Sequence, residues 1–169
     1  MNHIDEKHLY TKNSKINGVG LYTSCQIKNG EVAFILKGKK IFFHPTNKDE
    51  ACKLPNIFGV GKDIYIDPIY PYTCINHSCN PNLACNEDGI SYTAIRDIDK
   101  DEELTFDYSI SEYSDWEMDC NCGTKNCRGV IGSVEKLPVS LFQKYFPLVP
   151  EFFQRVFITH YINSNEKSK

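Results

Sequence analysis

Asn76-His77-Ser78-Cys79-Asn80-Pro81-Asn82, followed about two dozen residues later by Glu103-Leu104-Thr105-Phe106-Asp107-Tyr108, decides how this chain is read. The first stretch is polar, and its asparagines, serine and proline predict a rigid loop around Cys79 and not a strand interior. The second predicts a strand, which puts Phe106 and Tyr108 on one face. Taken alone, those two rings are ordinary core-packing strand residues, and His77 is a packed histidine that satisfies its neighbours.

Outward from these stretches the chain reads as short strands and turns. Upstream, from Leu9 to about Phe43, residues 19–27, 32–36 and 41–43 are apolar runs, separated at Lys28-Asn29-Gly30-Glu31 and Lys37-Gly38-Lys39-Lys40 as hairpins require. Residues 44–63 are polar and predict a loop with one helical turn, ending in a short strand at 57–60; another strand at 64–66 stops at Pro68. Downstream, 83–85, 90–95 and 104–108 predict strands. The tail changes period: Leu141, Phe142, Tyr145, then Phe152, Phe153, Val156, Phe157, His160 and Tyr161 recur at helical spacing, with Pro150 at the first helical position. The expected fold class is mostly β with short helices and a C-terminal helical segment packed on the same domain.

The 169 residues, 41% of them hydrophobic, suffice for one core and predict one domain. A formal charge of -3 and a pI near 5.9 argue against direct nucleic-acid binding, which needs an excess of Lys and Arg; a mildly acidic surface suits a basic peptide. Met1-Asn2-His3-Ile4-Asp5-Glu6 lacks the pattern of a secretory signal and no later run is long and apolar enough to cross a bilayer, so the expectation is a cytoplasmic protein with no membrane partner.

Eight cysteines in such a chain favour metal binding or buried thiols over disulfides. Cys120-Asn121-Cys122-Gly123-Thr124-Lys125-Asn126-Cys127 packs three thiols into one polar loop, the texture of a zinc knuckle one ligand short of a closed tetrahedron. Cys79 is the preferred fourth ligand, with Cys25, Cys52, Cys74 and Cys85 as competitors. The expected metal is structural, because the His-x-Glu that precedes Cys-x-x-Cys in zinc deaminases is absent. Eight free thiols, or a redox or metal-storage protein, are the rival readings.

Asn-His-Ser-Cys-x-Pro-Asn and Glu-Leu-x-Phe-Asp-Tyr resemble, in their order, two signature segments of SET-domain protein lysine methyltransferases. Cys-x-Cys-x4-Cys with Arg128-Gly129 resembles that family's post-SET zinc loop. Gly18-Val19-Gly20-Leu21, leading to Ile27-Lys28-Asn29-Gly30-Glu31, resembles the opening of the domain. Gly18 and Gly20 do not make a dinucleotide motif, since the third glycine and the following helix are missing. The chain departs from the family at Thr73-Cys74, where Arg-Phe is frequent, and at Asp101, where glycine is expected.

The resemblance implies a SET-domain β-fold of small curved sheets, with the two signature segments crossing in a knot-like arrangement. It divides the chain into a SET domain at 9–110, a post-SET zinc-binding loop at 111–132 and a C-terminal helical segment at 133–163. It implies S-adenosylmethionine held by Gly18, Gly20, Leu21, Asn76, His77 and Tyr108, structural zinc on Cys79, Cys120, Cys122 and Cys127, and a lysine channel with Tyr108 and Phe106 as catalytic residues. Phenylalanine at 106 implies di- or trimethylation. The implied partner is a lysine-containing protein or peptide, histone or another basic protein. The protein would be a monomer or homodimer, acting in the cytoplasm, in the nucleus or, after export, in another cell's nucleus. The alternative is a catalytically silent, zinc-stabilised interaction module with the same fold.

Overall fold

The computed structural model of the protein describes residues 6–44 and 56–166. Among them, twelve short strands pair into five small sheets. Strands β1 (Leu9–Asn13) and β2 (Val19–Thr23) form an antiparallel hairpin. Its loop closes through a hydrogen bond from the Ser14 N–H to the Gly18 carbonyl at 2.9 Å, with Gly18 at a φ of +46°, where glycine carries no steric penalty. Next in the chain come β3 (Val32–Ile35), β4 (Gly38–Phe42), β5 (Phe58–Gly61), β6 (Ile64–Pro68), β7 (Asn76–His77), β8 (Leu83–Cys85), β9 (Ser91–Ala94) and β10 (Thr105–Phe106). Two three-stranded sheets have the orders β3-β9-β8 and β4-β6-β5.

The two signature stretches meet as parallel neighbours, β10 against β7, with Thr105 opposite Asn76 and Phe106 opposite His77. The Ser78 N–H donates to the Phe106 carbonyl at 3.1 Å and extends the pairing. Strands β11 (Glu117–Asp119) and β12 (Val130–Gly132) pair on either side of the cysteine loop. Two α-helices follow, α1 (Val139–Tyr145) and α2 (Glu151–Glu166).

The core is aromatic where the sheets converge. Phe34 stacks on Tyr92 at 4.9 Å between ring centroids, Tyr92 meets Phe106 edge-on at 5.2 Å, and Phe106 stacks on Phe58 at 5.4 Å. Pairs of this kind add about 0.5–1.5 kcal/mol each beyond the area they bury. Helix α2 buries Phe153 and Phe157, the latter stacked on Phe142 of α1 at 3.8 Å, while Tyr161 and Ile162 stay about half exposed. Its apolar stripe therefore covers the domain only over its first turns. Gln154 is buried among the phenylalanines because its amide donates to the Pro147 and Val149 carbonyls at 3.0 and 2.7 Å.

Most expected strands are present, with shifted ends. The run 19–27 stops at Thr23, whose hydroxyl donates to the Cys25 carbonyl at 2.8 Å and turns the chain; Ile27 returns only as an isolated bridge to Ile98. The run 104–108 stops at Phe106, because the Asp107 carboxylate accepts from the Ser109 N–H at 3.1 Å and caps a 3-10 turn over Tyr108–Ser111. Pro150 lies just before α2 and not inside it, its carbonyl accepting from the Phe153 N–H at 2.9 Å. Of residues 44–63, where a loop with one helical turn is expected, 45–55 lie outside the described residues, and with them Cys52; the strand expected at 57–60 is β5.

Candidate active site

A cavity of about 680 Å³ opens where β2, β7, β10, the β4-β6-β5 sheet and the strand leading into the cysteine loop come together. That volume is typical of a small-molecule site. Gly18 and Val19 form one wall, Asn76 and His77 the floor, Phe106 and Tyr108 the back, Phe58 and Tyr65 a second wall, and residues 116–119 and 121 the rim.

Tyr108 begins the 3-10 turn and yet still meets Phe106, ring centroids 5.0 Å apart; the two are brought together by the turn and not by strand alternation. The Tyr108 hydroxyl donates to the Ile75 carbonyl at 2.7 Å. Burial pushes its phenol well above the usual value, so it is neutral and acts through its O–H and ring. The Tyr108 N–H donates to Nδ1 of His77 at 3.2 Å, which leaves Nε2 of that imidazole to carry its proton, 3.3 Å from the Cys79 sulfur. Burial lowers the His77 pKa to about 4 and holds the ring neutral.

Asn76 acts as a clamp. Its Nδ2 donates to the Asn17 carbonyl at 3.1 Å and to Oε1 of Glu103 at 2.8 Å, which ties the glycine loop to the second signature stretch. Glu103 also accepts from Ser14 at 2.8 Å and Tyr22 at 2.9 Å. Gly20 is required here: a Cβ would stand 2.4 Å from the Glu103 carboxylate. Gly20 and Leu21 are outside the cavity lining, Leu21 being wholly buried in the core; of the expected cofactor residues, Gly18, Asn76, His77 and Tyr108 reach the cavity.

The cysteine loop folds under the same floor. The Cys79 and Cys127 sulfurs each lie 3.7 Å from the Cys120 sulfur, and the Cys122 sulfur accepts from the Cys79 N–H at 3.5 Å. Ligand atoms of His77, Cys79, Cys120 and Cys122 all fall within 4.8 Å of one another. Cys127 lies outside that group and is placed by its approach to Cys120 alone; thiolates about 2.3 Å from a zinc ion stand about 3.8 Å apart, so the Cys79–Cys120 and Cys120–Cys127 separations fit a shared metal and are far too long for disulfides. His77 is the poorer fourth ligand, because the nitrogen that faces Cys79 is the one holding the proton. Burial works against the Cys122 thiolate, but hydrogen bonds led by the Thr124 hydroxyl outweigh it and bring the pKa down to about 6. Of the competitors, Cys25 is exposed, Cys74 lines the cavity, and Cys85 is buried in the core.

Arg128 joins the cluster to the signature stretch. Its Nε donates to the Cys79 sulfur at 3.4 Å and its Nη2 to the fully buried Asp107 at 2.6 Å, a carboxylate that also accepts from the Tyr145 hydroxyl at 3.1 Å. The Asp107 and Tyr145 contacts were not foreseeable from the sequence, where Arg128 is visible only as the residue after the last cysteine.

A family model described as SET domain matches residues 18–109, which is more than half of the chain. The chain is 35% identical over 88 residues to histone-lysine N-methyltransferase ASHR3 of Arabidopsis thaliana, covering 47% of this chain and 18% of the relative. It is 30% identical over 138 residues to human histone-lysine N-methyltransferase 2D, covering 73% of this chain and 2% of the relative. The chain thus spans less than a fifth of the length of these relatives. Among solved structures it is similar to ctPRC2 in an autoinhibited conformation bound to S-adenosylmethionine, with a TM-score of 0.52 and 24% identity over 64% of this chain and 16% of that one. A humanized mutant of the Chaetomium thermophilum Polycomb Repressive Complex 2 bound to the inhibitor GSK126 gives a TM-score of 0.50 at 24% identity, over 63% of this chain and 15% of that one. These structures speak for the fold, and the matched model decides the family: the chain belongs to the SET-domain family.

Proposed function

We propose that the protein is an S-adenosylmethionine-dependent protein-lysine N-methyltransferase acting on histone or another basic protein. The observation that carries this reading is the convergence of Tyr108, Phe106, Asn76 and His77 on one cavity whose lining, among the described residues, holds three carboxylates, Glu112, Glu117 and Asp119, and no lysine or arginine. Such a lining suits two cations, a sulfonium and an ammonium. The histone-lysine methyltransferase names of its relatives support the substrate class and, with it, action on chromatin in a nucleus.

When bound, S-adenosylmethionine would supply a methyl group for transfer to the amine, with S-adenosylhomocysteine as the leaving group. Gly18, Asn76, His77 and Tyr108 would hold it at the cavity wall and floor, with Gly20 and Leu21 acting indirectly by seating β2. Zinc, held by Cys79, Cys120, Cys122 and Cys127, would stiffen residues 116–121 and so close the rim. The boundaries near 110 and 132 separate these tasks. The acceptor lysine must present a neutral amine, and the aromatic walls disfavour its charged form. Tyr108 positions that amine through its hydroxyl, and most of the rate comes from alignment and exclusion of water. Phe106, buried and without a hydroxyl, leaves room for a methylated nitrogen, which supports di- or trimethylation as the outcome.

Labelled methyl transfer onto histones and a whole-cell lysate tests this reading. The wild type is expected to label protein, and Tyr108→Phe, which keeps the ring but loses the hydroxyl, to fall by about 100-fold or more, the scale of losing one oriented polar group. Absence of S-adenosylmethionine binding in calorimetry would leave only the interaction-module reading.

A further inference from the structure

Glu112 is one of the three carboxylates that line the cavity and directly follows the turn that carries Tyr108. Its backbone is fixed from both sides. Its carbonyl accepts from the Val134 N–H at 2.9 Å, and the preceding Ser111 carbonyl lies so close to β5 that a Cβ on Gly59 would be 2.1 Å from it. Its carboxyl group has no hydrogen-bond or ion-pair partner among the described residues, and neither has the hydroxyl of Tyr65 across the same cavity. Protein atoms crowding the half-buried residue push its pKa up to about 8. The other two cavity carboxylates differ: Glu117 pairs with Lys136 at 3.3 Å and Asp119 is exposed. A half-buried acid with no partner among the described residues, in a cavity also lined by Phe58, Tyr65 and Phe106, gains when a cation arrives to pair with it.

We propose that Glu112 is a specificity-determining residue that receives the ammonium group of the incoming lysine, so that the channel selects a cationic side chain before methyl transfer. The inference rests on the methyltransferase reading and names what that site recognises.

The full chain loaded with S-adenosylhomocysteine is titrated by NMR with Nα-acetyl-lysine methylamide and with its norleucine counterpart, for the wild type, Glu112→Gln and Glu112→Asp. The expected result is a preference for lysine in the wild type of about tenfold, lost in Glu112→Gln and partly restored in Glu112→Asp, with S-adenosylmethionine affinity by calorimetry unchanged. In turnover on histone, KM should rise about tenfold in Glu112→Gln while kcat stays within about threefold. Equal binding of the two ligands by the wild type overturns the inference, as does a loss of S-adenosylmethionine affinity in Glu112→Gln, which would make Glu112 a cofactor contact. A wild type that prefers lysine but transfers no methyl group overturns the methyltransferase reading alone.

Discussion

Glu112 keeps a carboxyl group where its charged form is disfavoured, and the free protein bears a stability cost for it. Burial raises its pKa from the usual 4.5 to about 8 in the folded chain. Between those two values the unfolded chain has released this proton and the folded chain still holds it, so this group makes stability fall as pH rises from about 4.5 to 8. Above that window the penalty is constant, and below it the penalty is absent. Glu112→Gln is therefore expected to stabilise the ligand-free protein at pH 8 by about 1 to 2 kcal/mol, discounted for water that reaches the cavity, and to do little near pH 4.5. Urea unfolding at the two pH values measures it; an unchanged or lower midpoint at pH 8 would show that the carboxyl group is solvated. Such a cost is what an acid retained for binding and not for folding should carry.

At the scale of elements, the cysteine loop and the second signature stretch are held together by one side chain. Arg128 bridges the Cys79 sulfur and Asp107, and Asp107 is fully buried. Arg128→Ala would leave that carboxylate without its counter-charge, a change that costs about 3–5 kcal/mol in buried pairs. It also removes the Nε hydrogen bond to a proposed metal ligand, leaving the one from the backbone N–H, so zinc affinity should drop by about tenfold. Denaturant midpoints together with a competitive zinc chelator read both effects; wild-type values in both would make the contact dispensable. The link was not legible in the sequence, because nothing local relates residue 128 to residue 107. The same holds for the cavity: Glu112, Tyr65 and Trp116 reach it from separate segments, and each reads locally as a loop, strand or surface residue. What was legible depended on local pattern. Apolar alternation located β3, β5, β6, β8 and β9, and the Cys-x-Cys-x4-Cys spacing located the loop that folds against Cys79. Strand ends were misjudged where side chains capture the backbone, as Thr23 and Asp107 do. Strands β11 and β12 were missed because Glu117, Asp119 and Gly132 supply little apolar alternation to detect.

At the scale of the whole molecule, two clusters of buried residues share one partner. The larger holds the aromatic core, the smaller holds Cys79, Cys120, Cys122 and Ile131, and Tyr108 packs against both. The strands of the larger cluster have their own apolar burial, whereas the smaller adds to its thiols only Ile131, with Ile16, Tyr108 and Trp116 packed against it, so a metal there would stabilise a wall of the cavity more than the fold as a whole. Chelation is then expected to leave far-UV circular dichroism nearly unchanged while weakening S-adenosylmethionine binding by about tenfold or more, because residues 116–119 and 121 of the rim are no longer fixed by the cysteines beside them. Metal analysis should give one zinc per chain before treatment. Restoring zinc should restore affinity, and Cys127→Ser should reproduce the chelated state in part, since it removes one proposed ligand and leaves His77 with its proton on the nitrogen facing Cys79. Full affinity in fully chelated protein would show that the cavity is built by the aromatic core alone; collapse of the circular dichroism signal would show that the two clusters fold as one.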